Sequence, residues 1–191
     1  MVGAAPSFSK FHLVRTLLLL DSGRIGRKKL VRILDIGEGS VRTVIKRLRE
    51  DGLITSSKQG HGLTEKGREK VKKYMRKFSM SREFKADDLS INPGEFSSLV
   101  IVHGASNKFD SGIEQRDTAR DAGATSIAIL LFKKGILEFP TPEVRLSQFP
   151  ESRKELKKME LTEGDIVVIS FGKSKAIAEN GAVAVALQLT A

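Results

Sequence analysis

The chain has 191 residues and no cysteine, which excludes disulfides and thiolate metal sites, and its three histidines are scattered, which argues against a zinc site. Its net charge of +10 is unevenly placed: residues 1–85 carry 21 Lys and Arg against 8 Asp and Glu (+13), whereas residues 86–191 carry 12 against 15 (−3). That split predicts two modules, the first meeting a polyanion; the lack of cysteine predicts a reducing, cytoplasmic compartment, and no apolar run approaches the ~20 residues of a membrane span.

In chain order, the basic half reads as helices. Phe11, Val14, Leu17 and Leu18 recur at helical spacing, and the segment ends at the glycine of "DSG". A short extended piece around Ile25 precedes a second helix, "RKKLVRIL", with Leu30, Val31 and Leu34 inward. The third helix runs from about Ser40 to Glu50, where Val41, Val44, Ile45 and Leu48 form one stripe and Arg42, Thr43, Lys46 and Arg47 lie opposite, with Arg49 on the flank. "LITSSKQGHGLT" predicts two strands joined by a tip at Lys58 to Gly62. A helix capped by Thr64 follows, with Val71, Tyr74, Met75 and Phe78 as its apolar positions.

Residues 81–97, with the turn "NPG" at 92–94, read as a connector. Beyond it the pattern alternates: strand "SSLVIVHG", helix "SGIEQRDTARDAGA", strand "TSIAILLF" with hairpin partner "ILEF", helix "ESRKELKKM", strand "DIVVISFG", helix "KSKAIAEN" and a last strand "AVAVALQL". Two stretches, "VIVHG…ARDAGATSIAILL" and "VVISFG…AIAENGAVAVALQL", echo each other as strand, glycine, helix, "GA", strand.

The phrase "SVRTVIKRLREDGLI", then a hairpin and "LTEKGREKV", resembles the winged helix-turn-helix domains of prokaryotic transcription regulators over residues 8–80. Through "IEQRDTARDAGATSIAILLF" and "EGDIVVISFGKSKAIAENGA" the whole chain resembles an archaeal family in which a winged helix precedes a conserved domain of unknown function. The expected fold is an α+β winged helix-turn-helix domain at 1–80 and an α/β, βαβ-containing domain at 98–191.

In such a domain the third helix enters the major groove, which makes Ser40, Arg42, Thr43, Lys46 and Arg47 candidates for DNA contact, with Lys58 and His61 at the tip of the hairpin. The helix face is expected to lack interspersed carboxylates, so its cations stay available. A second, weaker set is Gly104, Ser106 and Asn107 with Gly172, Lys173 and Ser174, small and polar residues at strand–helix junctions where a small, perhaps anionic, ligand would bind. "GKS" at 172–174 is not a phosphate loop, because Val167 stands where the first glycine belongs. Glu114, Asp117 and Asp121 read as a solvated helix face, and His103 as structural.

The sequence therefore predicts a DNA-binding transcriptional regulator, a homodimer on double-stranded DNA whose second domain dimerises or senses a small-molecule effector, with no catalytic residue, cofactor or metal. The competing expectation is a nucleotide-using small-molecule enzyme, such as a kinase with an accessory winged domain like the archaeal riboflavin kinases. A third is an RNA or ribosome adaptor, which the scarcity of stacking aromatics disfavours: one tyrosine and no tryptophan.

Overall fold

A computed structural model describes residues 8–81, 84–92 and 94–191, and contacts divide the chain into Met1–Met75 and Arg76–Ala191. The whole is a mixed α+β protein, helices first and a β-sheet domain second. No helix of the described residues is long and apolar enough to cross a membrane.

The first unit contains α1 (Lys10–Asp21), α2 (Arg27–Leu34), α3 (Glu38–Glu50), the hairpin β1 (Ile54–Ser57) and β2 (Gly60–Leu63), and α4 (Glu65–Met75). Leu17 and Leu20 of α1, Leu30 and Leu34 of α2, Val41, Val44, Ile45 and Leu48 of α3 and Val71 of α4 close one core. The "DGLI…LTEKG" phrase has a packing reason. Thr64 Oγ1 accepts from Gly67 N at 3.0 Å and donates to Gly52 O at 2.7 Å, and a Cβ on Gly67 would overlap Leu53 O. Hydroxyl and glycine together hold the start of α4 against the chain leaving α3.

His12, buried on α1, accepts a hydrogen bond from Ser9 N at its Nδ1, 3.0 Å away. Burial, then the charge of Arg15, lowers its pKa to about 4. The folded chain thus binds this proton more weakly than the unfolded chain, so its neutral form costs nothing above the ordinary value of 6.5, and stability falls as pH drops from 6.5 toward 4. At roughly 1.4 kcal/mol per pKa unit the full loss is at most about 3.5 kcal/mol. Urea unfolding at several pH values should show this loss in the wild type. His12→Gln, which keeps an acceptor without the titration, should flatten that part of the profile; an identical profile in the variant would reject the assignment.

The second unit is a five-stranded sheet in the order β3 (Phe78–Ser81), β4 (Phe96–Val102), β7 (Ile166–Gly172), β5 (Ser126–Lys133), β6 (Ile136–Glu138), with every neighbouring pair antiparallel. The helices are α5 (Ile113–Asp121), α6 (Pro150–Leu156) and α7 (Lys175–Leu189). Alternation along the strands divides the core. Leu99, Leu130, Val167, Ile169 and Phe171 face Phe84, Ala86 and Leu156 on one side, while the opposite side, with Val100, Val168 and Ser170, receives α7, on which α5 packs.

Four expectations are corrected here. β4, α5 and β5 do form a strand–helix–strand unit with parallel strands, but β7 lies between the two, so the sheet has no parallel neighbours. "AVAVALQL" is not a strand; it completes α7, with Gly181 and Ala182 inside the helix, and the internal echo lacks its second half. Phe78 belongs to β3, paired with Val102, and Met75, expected inward, is 50% exposed at the end of α4. Finally, the connector assigned to 81–97 packs into the sheet domain: Phe84 and Ala86 are buried, and Asp88 accepts from the backbone of Glu151 at 3.0 Å and from the backbone and hydroxyl of Ser152, capping α6. Of the "NPG" turn, Pro93 lies outside the described residues.

Candidate nucleic-acid interface

The exposed side of α3 is fixed by its buried stripe. With Val41, Val44, Ile45 and Leu48 inward, Arg42, Thr43, Lys46 and Arg47 are exposed and Ser40 is half-buried at the first turn. Glu38 in the first turn and Arg47 and Arg49 in the last complement the helix dipole.

The expectation of a carboxylate-free face is corrected. Glu38 Oε1 pairs with Arg42 at 3.1 Å and with Arg27 of α2 at 3.0 Å, and Lys46 lies 3.8 Å from Glu50. Hydrogen bonding from Arg42, with the charges of Arg27 and Arg42, lowers the Glu38 pKa. These are surface pairs of the kind worth ~0–1 kcal/mol, which a closer anion displaces at little cost. The Arg47 and Arg49 side chains have no ion pair among the described residues, and the Thr43 hydroxyl donates to Gly39 O at 3.1 Å.

The hairpin differs from its expected form. Ser57 pairs with Gly60, which puts Lys58 and Gln59 at the tip; His61 is one pair further back, opposite Ser56, whose Oγ lies 2.8 Å from its Nδ1. His61 is half-buried, and its pKa is lowered by that burial, then by Arg27 and Arg49. It is a brace inside the hairpin rather than a tip residue. Ile25, between α1 and α2, pairs with His61 as a third extended segment, its N–H donating to His61 O at 3.0 Å and its carbonyl accepting at 2.9 Å. Gly60 makes this possible: its φ is +112° and a Cβ there would meet Ile25 O at 2.8 Å.

Arg24 and Arg27, which the sequence does not single out, complete this surface together with Arg49 from the flank of α3. Arg24 reaches Gly60 O at 3.1 Å and Ser57 Oγ at 3.2 Å, bracing the turn, while Arg27 and Arg49 stand near enough to His61 to depress its proton affinity. Nothing local marks Arg24 or Arg27, because their places follow from the Ile25–His61 pairing. The result is a positive surface running from α3 across the start of α2 to the hairpin.

The weaker candidates are not one site. β4 and β7 are antiparallel, with Phe96 opposite Gly172 and Val102 opposite Ile166, so Gly104, Ser106 and Asn107 follow one end of the sheet and Gly172, Lys173 and Ser174 the other, about 20 Å apart. At the first end, Gly104 N donates to buried Asp165 Oδ1 at 3.0 Å, Ser106 N donates to Gly164 O at 2.9 Å, and Asn107 is exposed in a single turn of 3₁₀ helix. Burial tends to raise the Asp165 pKa, but hydrogen bonds from Thr162 and Gly104 and the nearness of His103 outweigh it and lower the value. That loop is tied to the start of β7.

At the other end, a Cβ on Gly172 would come within 2.5 Å of Ile177 Cγ2, and Ser174 Oγ accepts from Ile177 N at 3.3 Å as the cap of α7. Lys173 is exposed and influences Glu95, whose carboxyl, raised by burial but lowered more by hydrogen bonds from Thr125, Asn92 and Ser90 and by Lys173, sits below its ordinary value. "GKS" thus joins a strand closely to a helix. Among the described residues, no group of three or more His, Cys, Asp or Glu has the arrangement of a metal site.

Residues 93–189, half of the chain, match the family model "Domain of unknown function (DUF4443)", and the chain belongs to that family. Residues 12–69 match the model of the "PH0730-like, N-terminal domain". Among solved structures, the chain is similar to hypothetical protein PH0730 from Pyrococcus horikoshii OT3, at 29% identity over 96% of this chain and 94% of that one, with a TM-score of 0.79. No curated protein matches it.

Proposed function

We propose that the chain is a DNA-binding transcriptional regulator whose first unit is a winged helix-turn-helix. α3 is its recognition helix, β1 and β2 are its wing, and the sheet domain dimerises or senses a small molecule. The observation that carries the reading is the exposed face of α3, where Arg42, Thr43, Lys46 and Arg47 stand together, continued by Arg49, Arg27 and the Lys58 tip. Guanidinium and ammonium groups on one helix face suit phosphates and guanine edges in a major groove, and a cationic hairpin beside it suits the flanking backbone. In a homodimer, two such helices would meet half-sites about 34 Å apart.

The test is binding of the full chain to a fluorescently labelled duplex of random sequence, followed by anisotropy. Affinity should fall steeply between about 50 and 200 mM salt, with a slope of log K near −0.9 per phosphate neutralised. Selection from genomic fragments should then return a site with two-fold symmetry. Lack of micromolar binding at the lower salt, or an affinity indifferent to salt, would reject the reading.

A further inference from the structure

Within the sheet domain, β6, the loop that follows it and α6 line a cleft of about 700 Å³, open on one side, that no candidate above includes. Its floor is apolar: Leu137 from the edge strand, Phe139 just past its end and Met159 beyond α6, with buried Leu156 of α6 behind them. Its wall carries three cations, Arg145, Arg153 and Lys157. Arg153 and Lys157 are four residues apart across the end of α6, a spacing at which like charges repel, and none of the three side chains has an ion pair among the described residues. Glu155 on the same helix is taken by Lys158 at 2.6 Å. The one carboxylate in the lining, Glu138, is exposed at the end of β6 and pairs with none of them.

A cavity of this size with an apolar floor and a few convergent charges has the make-up of a small-molecule site. Three uncompensated cations beside it set the sign of the ligand's charge. An inorganic anion would leave the floor empty, and a nucleic-acid backbone would not fill an apolar recess. Ile136 at 60% exposure and Val144 at 36% extend the apolar surface to the mouth.

We infer that this cleft binds an organic carboxylate with a hydrocarbon body, the chain lying on Leu137, Phe139 and Met159 and the carboxylate meeting Arg145, Arg153 and Lys157. Naming this ligand the effector rests on the regulator reading above; the binding itself does not. The test is therefore made on the full chain without DNA, with decanoate as the probe, by calorimetry and by displacement of anilinonaphthalene sulfonate. One saturable site per chain is expected, with decanol and decyltrimethylammonium at least about tenfold weaker. Arg153→Glu with Lys157→Glu, both exposed and checked by circular dichroism, should weaken decanoate by about tenfold or more. If that pair does not fold, Arg145→Glu, on the loop before α6, makes the same test. Equal affinity for decanoate and decanol, or unchanged decanoate binding in the folded variant, would overturn the assignment.

Discussion

Replacing Arg47 and Arg49 together with glutamate is expected to weaken duplex DNA binding by about a hundredfold at low salt and to reduce the magnitude of the salt slope by about two. These two are chosen because Arg42 and Lys46 are each engaged with a carboxylate of α3, at 3.1 and 3.8 Å, so reversing either would also set it against Glu38 or Glu50. Arg47 and Arg49 have no such partner among the described residues and both are exposed, so the fold should lose less than about 1 kcal/mol, mainly through the helix dipole. Thermal melting and DNA anisotropy on the same preparation separate the two effects. A variant that melts normally and binds duplex as well as the wild type would remove α3 from the interface. The complementary variant, Glu38→Gln, frees Arg27 and Arg42 from their shared carboxylate and should tighten binding several-fold while leaving sequence preference unchanged.

Such a surface was legible in the sequence only where its information is local. The stripe of Val41, Val44, Ile45 and Leu48 fixes which residues of α3 point outward, because the 3.6-residue period needs nothing beyond the helix itself. The hairpin tip was drawn three residues too long, to Gly62 instead of Gln59, because Gly60 and Gly62 read as turn glycines, whereas Gly60 serves the approach of Ile25, a residue 35 positions earlier. Arg24 and Arg27 were invisible for the same reason. In the sheet domain the local alternation of strand and helix was readable, but the pairing of β7 between β4 and β5 is a long-range event, and because β7 runs antiparallel to β4 the two weaker candidate loops lie at opposite ends of the sheet. The misreading of "AVAVALQL" has a different origin. Almost every residue of α7 from Ala176 to Leu189 is buried, so the helix shows no polar face, and an apolar run without a polar face fits a buried strand as well as a buried helix.

That burial makes Gly181 the position in α7 with the largest expected effect. Glycine inside a helix costs about 1 kcal/mol relative to alanine, so on propensity alone Gly181→Ala should stabilise. Packing reverses the sign: a Cβ there would overlap Ser170 Oγ of β7 and come within 2.7 Å of Ala124 Cβ. Gly181→Ala should therefore destabilise the sheet domain by about 1–3 kcal/mol, and Gly181→Val, larger and branched at the clashing atom, should prevent it from folding. Ser170 decides between this account and a purely conformational one. Its hydroxyl is fully buried and has no hydrogen-bond partner among the described residues, so Ser170→Ala alone should be neutral or slightly stabilising. Because it removes the atom nearest the new Cβ, it should also recover part of the loss when combined with Gly181→Ala, while the contact with Ala124 keeps the recovery incomplete. A double-mutant cycle by urea unfolding should give a favourable coupling of about 1 kcal/mol or more. Strict additivity of the two substitutions would mean that α7 does not lie on β7 through this pair, and the placement of "AVAVALQL" in a helix against the sheet would have to be abandoned.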